Sequence, residues 1–149
     1  MKSLLLVLLT STFAFAQDGA MEGIDAFFME PGYYDDFDMA KQNPDSVLYL
    51  DLSLQSPKLK QIPEAVYTFK NLKYLELAYN QIGSISDRVS ELQALEVLGL
   101  NGNKYLTSVS DSVVKLKSLK LLQVSDTGMK SGQIDGLRRL LPESVQIQR

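Results

Sequence analysis

The sequence predicts an α/β repeat solenoid, a coil in which short parallel strands line a concave face and helical or irregular segments return along the convex one. One apolar pattern recurs as Val47-x-x-Leu50-x-Leu52, Leu72-x-x-Leu75-x-Leu77, Leu95-x-x-Leu98-x-Leu100 and Leu119-x-x-Leu122-x-Val124, with starts 25, 23 and 24 residues apart. A second apolar set follows in step: Ile62, Val66 and Phe69, then Ile85, Val89 and Leu92, then Val109, Val113 and Leu116. Asn80 and Asn103 stand at one fixed place, eight residues after Leu72 and Leu95. No single turn of such a coil can bury its own apolar face, so neighbours must supply the missing wall, and about three or more copies are needed.

Each segment has its own reason. Residues 1–16 read as an export signal: Lys2 gives a positive start, residues 4–9 are wholly apolar, and Ala14-Phe15-Ala16 fits small residues at a cleavage site. A secreted or periplasmic chain beginning at Gln17 is expected. The run is shorter than the roughly 20 apolar residues a bilayer-spanning helix needs, so no membrane span is expected. Residues 17–34 read as a flexible acidic and aromatic segment containing Phe27-Phe28-Met29, the turn signal Pro31-Gly32, and Tyr33-Tyr34.

Both ends of a coil expose apolar core and need covers. Residues 35–46 read as an N-terminal cap, with a short helix over 35–42 that has acids at its start, stops before Pro44 and packs through Phe37, Met39 and Ala40. The repeats fill 47–130. Residues 131–149 read as a C-terminal cap in which Ile134, Leu137, Leu140 and Leu141 recur at helical spacing, Ser131 is the N-cap and Pro142 the stop. Val145 and Ile147 alternate with polar residues and predict a final strand.

The composition removes most catalytic tools. The 149 residues include no cysteine and no histidine, which excludes thiol nucleophiles, Ser-His-Asp triads, zinc sites of the usual kind and imidazole acid-base chemistry. Packing and hydrogen bonds must stabilise the chain without disulfides. Residues 17–46 carry eight acids against Lys41 alone, whereas residues 47–149 carry thirteen Lys/Arg against ten Asp/Glu. No dense basic patch results, so nucleic acid is not an expected partner. Lys70, Lys73, Lys117 and Lys120 flank the strand starts and read as solubilising. The Asp35-Asp36-x-Asp38 cluster lacks the glycine and distal glutamate of a calcium loop and reads as helix-start acids, so neither metal nor cofactor is expected.

The runs Leu72-x-x-Leu75-x-Leu77-x-x-Asn80 and Leu95-x-x-Leu98-x-Leu100-x-x-Asn103 make residues 47–147 resemble the leucine-rich-repeat family in its short, secreted, bacterial-type form with four repeats, and Ile62-Pro63 resembles its "L-P" subtype. Gln55 and Thr127 replace the asparagine in the outer repeats. Asn80 and Asn103 read as structural, their amides satisfying backbone groups at the bend after each strand. The resemblance implies recognition of proteins, and sometimes of glycans or lipids, through the concave face. It does not extend to family members that are ubiquitin ligases with a catalytic cysteine or receptors with a membrane span and kinase.

Strand alternation then names the candidate surface, because fixing the leucines inward fixes their neighbours outward. The outward columns are Tyr49, Tyr74, Val97, Leu121; Asp51, Glu76, Gly99, Gln123; Ser53, Ala78, Asn101, Ser125; and Leu54, Tyr79, Gly102, Asp126. Tyr49, Asp51, Tyr74, Glu76, Tyr79, Asn101 and Gln123 are the candidate ligand-binding residues, with the three tyrosines converging on one end. Gly99 and Gly102 either admit a partner to the backbone or mark a tight bend.

The function these features predict is an exported, non-enzymatic module that binds a protein ligand, in an oligomeric state the sequence leaves open. Two alternatives stand beside it. One is a structural envelope component docking through its N-terminal segment; the other is a glycan hydrolase using a carboxylate pair such as Asp51 and Glu76. An open sheet gives a carboxylate little of the enclosure that would raise its pKa, which counts against the hydrolase.

Overall fold

A computed structural model of the chain describes residues 31–149. The expected export signal at 1–16 and residues 17–30 of the segment expected to be flexible lie outside the described residues. Among the described residues, no helix is long and apolar enough to cross a membrane.

The repeats form one parallel sheet of six short strands: β1 (Tyr33–Tyr34), β2 (Tyr49–Asp51), β3 (Tyr74–Glu76), β5 (Val97–Gly99), β7 (Leu121–Gln123) and β8 (Gln146–Gln148), in that spatial order. A second, two-stranded sheet pairs β4 (Ser84–Ile85) with β6 (Ser108–Val109). Register is strict, with Leu50, Leu75, Leu98 and Leu122 side by side. Beyond the strands the backbone ladder continues, as Leu52 N–H donates to Glu76 C=O at 2.8 Å and Leu77 N–H to Gly99 C=O at 2.9 Å.

Every leucine-pattern residue and every second-set residue predicted to point inward is buried, as are Ile82 and Leu106, which the repeat pattern did not single out. The return segments are 3₁₀ turns at matching places, Glu64–Thr68, Asp87–Glu91 and Asp111–Lys115. Each closes with an i→i−3 bond, from Phe69, Leu92 and Leu116 to the carbonyls of Val66, Val89 and Val113. Arg88 ties neighbouring turns together: its guanidinium lies 4.4 Å from the Tyr67 ring centroid and pairs with Glu64 and Glu91.

Asn80 and Asn103 are buried and do the predicted structural work. Asn103 Oδ1 accepts from Ile82 N–H at 3.0 Å, while its Nδ2 donates to Leu77 C=O at 3.0 Å and Leu100 C=O at 2.9 Å. Asn80 does the same with Leu59 N–H and the carbonyls of Leu52 and Leu77. Where the asparagine is missing, Thr127 Oγ1 still donates to Val124 C=O at 2.8 Å and the bend survives.

The preceding residue in each repeat pays for that bend. Leu54, Tyr79, Gly102 and Asp126 have φ of 54°, 57°, 70° and 53°, so the column expected to continue the sheet surface is instead a run of left-handed turn positions. Gly102 is thereby a tight-bend glycine.

The caps form with adjustments. Helix α1 (Phe37–Gln42) is N-capped by Asp36, whose Oδ1 accepts from Asp38 N–H at 2.8 Å and Met39 N–H at 3.0 Å. Ala40 is buried and Phe37 meets Phe69 edge-on at 6.3 Å, but Met39 is 51% exposed and contributes no core contact. Helix α2 (Ser131–Leu140) begins one residue earlier than predicted: Lys130 is the N-cap and its N–H donates to Gln133 Oε1 at 2.7 Å. Ser131 is thus inside the helix. Ile134, Leu137 and Leu141 close the last repeat, while Leu140 faces out. Strand β8 follows, as the alternation of Val145 and Ile147 predicts.

Candidate functional site

The side chains between the inward leucines form two rows on the other face of the six-stranded sheet. The first row is Tyr33, Tyr49, Tyr74, Val97, Leu121 and Gln146, all in register. The second is Asp51, Glu76, Gly99, Gln123 and Gln148.

Tyr49 and Tyr74 are stacked, with ring centroids 4.7 Å apart and planes 24° apart. That is the close, offset arrangement aromatic pairs favour, and adjacent parallel strands hold the rings there. Both residues are half-buried. Burial and then the Glu96 carboxylate raise the Tyr74 pKa, partly offset by Lys120. Tyr33 extends the row on β1, where burial and then Asp51 and Asp35 push its hydroxyl well above the ordinary tyrosine range.

Tyr33 falls in the segment the sequence reads as flexible, and its membership of the sheet is the main site feature the repeat pattern misses. A signal was present: Tyr33-Tyr34-Asp35 matches Tyr49-Leu50-Asp51 and Tyr74-Leu75-Glu76 in aromatic, apolar and acidic order.

Tyr79 does not join the tyrosine pair. Its left-handed backbone turns it out of the strand alternation, and its ring lies over Gly102, where a Cβ would overlap it. Gly99 is filled in the same manner. A Cβ there would overlap the Glu76 carboxylate, which lies against the β5 backbone. Both glycines therefore receive a side chain from the preceding repeat.

This enclosure corrects the expectation of an open, ordinary carboxylate. Burial pushes the Glu76 pKa from 4.5 up to about 7, opposed by the Ala78 N–H, which donates to Oε1 at 3.0 Å, and reinforced by Asp51. Asp51 is half-buried and accepts from Ser53 N–H at 2.8 Å.

Gln123 and Asn101 also differ from a simple surface reading. Gln123 is only 3% exposed, because β8 lies beside it and Gln148 Oε1 accepts from its Nε2 at 2.7 Å. Asn101 is half-buried and its Oδ1 accepts from Ser125 N–H at 2.9 Å, which ties the third repeat to the fourth. Of the seven candidates, Tyr49, Asp51, Tyr74 and Glu76 thus form one contiguous patch across β2 and β3. Among the described residues, no group of three or more acids is placed to hold a metal ion.

A curved parallel sheet built from stacked turns, with its outward rows half-open, defines a repeat solenoid of the protein-interaction class. The chain carries leucine-rich repeats. Residues 70–114 match the family model described as Leucine Rich repeats (2 copies), which spans the second repeat and much of the third.

Two curated proteins are similar in sequence. The volume-regulated anion channel subunit LRRC8D of Rattus norvegicus is 32% identical over 83 residues, 54% of this chain and 10% of that protein. The flightless-1 homolog of Caenorhabditis elegans is 33% identical over 75 residues, 50% of this chain and 6% of that protein. The chain therefore spans a tenth or less of these relatives.

Two solved structures share the fold. A leucine-rich-repeat protein of Leptospira interrogans superposes with a TM-score of 0.66 at 23% identity, covering 78% of this chain and 28% of that one. An internalin of Listeria monocytogenes gives 0.55 at 19% identity, covering 78% and 32%. Family and fold are typically those of non-enzymatic interaction modules.

Proposed function

We propose that the chain is an exported module, secreted or periplasmic, that binds a protein ligand on the concave face of its first two repeats. The observation that supports this most is the stacked Tyr49–Tyr74 pair, held rigid by the strands yet half-open. Tyrosines so placed offer large contact area at little entropic cost, which is why they anchor interfaces. Asp51 and Glu76 beside them supply polar specificity.

The test is affinity capture from the producing organism's envelope and medium, using the parent chain, a Tyr49→Ala/Tyr74→Ala variant and a Tyr105→Ala control. Tyr105 is 64% exposed and lies outside the sheet. A protein retained by parent and control but lost by the double variant is expected. Equal retention by all three would remove the site from this face, and capture of only glycan or lipid would replace the ligand class. N-terminal sequencing of the exported chain should begin at Gln17, and full-length chain confined to the cytoplasm would sink the export reading.

One observation favours a second reading. A carboxyl whose pKa burial raises to about 7 beside another carboxylate, as for Glu76 beside Asp51, is what a carboxylate-based glycan hydrolase asks of its acid. Glycan turnover by purified chain, lost in Glu76→Gln, would be needed to sustain it.

A further inference from the structure

Resting on that concave-face reading, we propose that the ligand presents an arginine side chain, laid along the Tyr49–Tyr74 rings with its guanidinium on the row formed by Asp51, Glu76 and Gln123. The charges argue for a cation. Among the described residues, four other acids have basic partners: Glu64 and Glu91 pair with Arg88, Glu96 with Lys120, and Asp38 with Lys41. No lysine or arginine there forms an ion pair with Asp51 or Glu76, and neither outward row contains a basic residue between Tyr33 and Gln148.

Gln123 adds an independent demand for a donor. It is 97% buried on the same row, its Nε2 is committed to Gln148, and among the described residues its Oε1 has no hydrogen-bond partner. With the nitrogen facing β8, the oxygen is turned away from that strand, and the next position across the row is Gly99. The Glu76 carboxylate lies in the space a Gly99 side chain would fill, and Gln123 stands on the next strand, about one strand spacing, roughly 5 Å, from that position. A guanidinium carries five donors and no acceptor, in a planar fork that can serve a carboxylate and a neighbouring oxygen together.

The tyrosines select arginine over lysine. The two rows are two residues apart along the strand, about 7 Å, so a side chain anchored on the carboxylates runs its stem across the rings. Planar guanidinium stacks on aromatic faces as well as pairing electrostatically, whereas an ammonium acts as a strongly hydrated point charge.

The experiment is an NMR titration of the full chain with acetyl-Gly-Gly-Arg-Gly-Gly-amide and the same peptide carrying citrulline, which keeps the shape and removes the charge. Amide shifts at Asp51, Glu76 and Gly99 are expected with arginine, and affinity about tenfold or more weaker with citrulline, as loss of one member of a close charge pair produces. Asp51→Asn and Glu76→Gln should each abolish the preference, two variants guarding against misfolding of either one. Equal affinity for both peptides, shifts confined to other surfaces, or no binding overturns the proposal. Should that happen while protein capture still depends on Tyr49 and Tyr74, the arginine fails and the concave-face function stands. An arginine preference without tyrosine-dependent capture would fail the function alone.

Discussion

Replacing Asn103 with alanine removes an amide that is fully buried between the second and third repeats. The Ile82 N–H loses its Oδ1 acceptor at 3.0 Å, in surroundings with no water access. The two carbonyls are less badly served: Leu77 C=O keeps Asn80 Nδ2 at 3.0 Å, and Leu100 C=O keeps only the long 3.4 Å bond from the Asn103 backbone. One orphaned donor costs about 1–3 kcal/mol, and the weakened acceptors and small cavity bring the expected total to roughly 2–4 kcal/mol. Asn103→Thr imports the solution of the fourth repeat, where Thr127 donates to Val124 C=O, and should recover about 1 kcal/mol of that loss. Urea unfolding followed by circular dichroism reads the free energies, and hydrogen exchange at Ile82 reads the local effect. A loss under about 1 kcal/mol with Ile82 still protected would refute the assignment of the ladder as a buried hydrogen-bond scaffold.

Three more expectations follow from the same geometry. Because Glu76 has a folded pKa of about 7 against an ordinary 4.5, folded chain holds the proton more tightly than unfolded chain. Its stabilising contribution is therefore full below about pH 4.5 and lost as pH rises through about 7, by up to about 3 kcal/mol. Thermal midpoints of the parent should fall between pH 5 and 8 more than those of Glu76→Gln, and parallel profiles would contradict the burial of that carboxyl. Gly99→Ala should evict the Glu76 carboxylate from the β5 backbone and return its pKa toward 4.5, read by carboxyl-carbon NMR titration; an unchanged titration would mean the glycine does not hold the notch. Leu54→Gly, at a 55% exposed residue with φ 54°, should raise stability by about 0.5–1 kcal/mol by urea unfolding, and a loss would show that its side chain packs in a way its exposure does not suggest.

The core was legible because a period of about 24 residues assigns every leucine a direction at once, and each of those residues is buried. The two asparagines were legible for the same reason, since a polar residue at a fixed offset in an apolar repeat has backbone to serve. The outward face was harder. Alternation says on which side of the sheet Gln123 lies, but its burial depends on β8 arriving from the C-terminal cap with Gln148. Alternation also ends where the strand ends, so Tyr79, three residues past Glu76 and at positive φ, could not be placed by counting in twos. Tyr33 was lost because Tyr34 stands where the repeats have leucine, although the segment pairs with β2 through Tyr33–Tyr34 and the Gly32 carbonyl accepts from Leu48 and Tyr49 N–H at 2.9 Å. The raised pKa of Glu76 depended on seeing that the absence of a side chain at position 99 is a place for one at position 76.

Those two filled glycines make the repeats non-interchangeable. Glu76 and Tyr79 of the second repeat occupy the spaces at Gly99 and Gly102 of the third, two keys cut for two adjoining locks. Duplicating the second repeat in tandem would set glutamate against glutamate and tyrosine against tyrosine, whereas duplicating the third would leave both locks empty. The array therefore cannot lengthen at this junction by simple copying, and anyone grafting repeats to extend the coil must carry the second and third across as a single cassette.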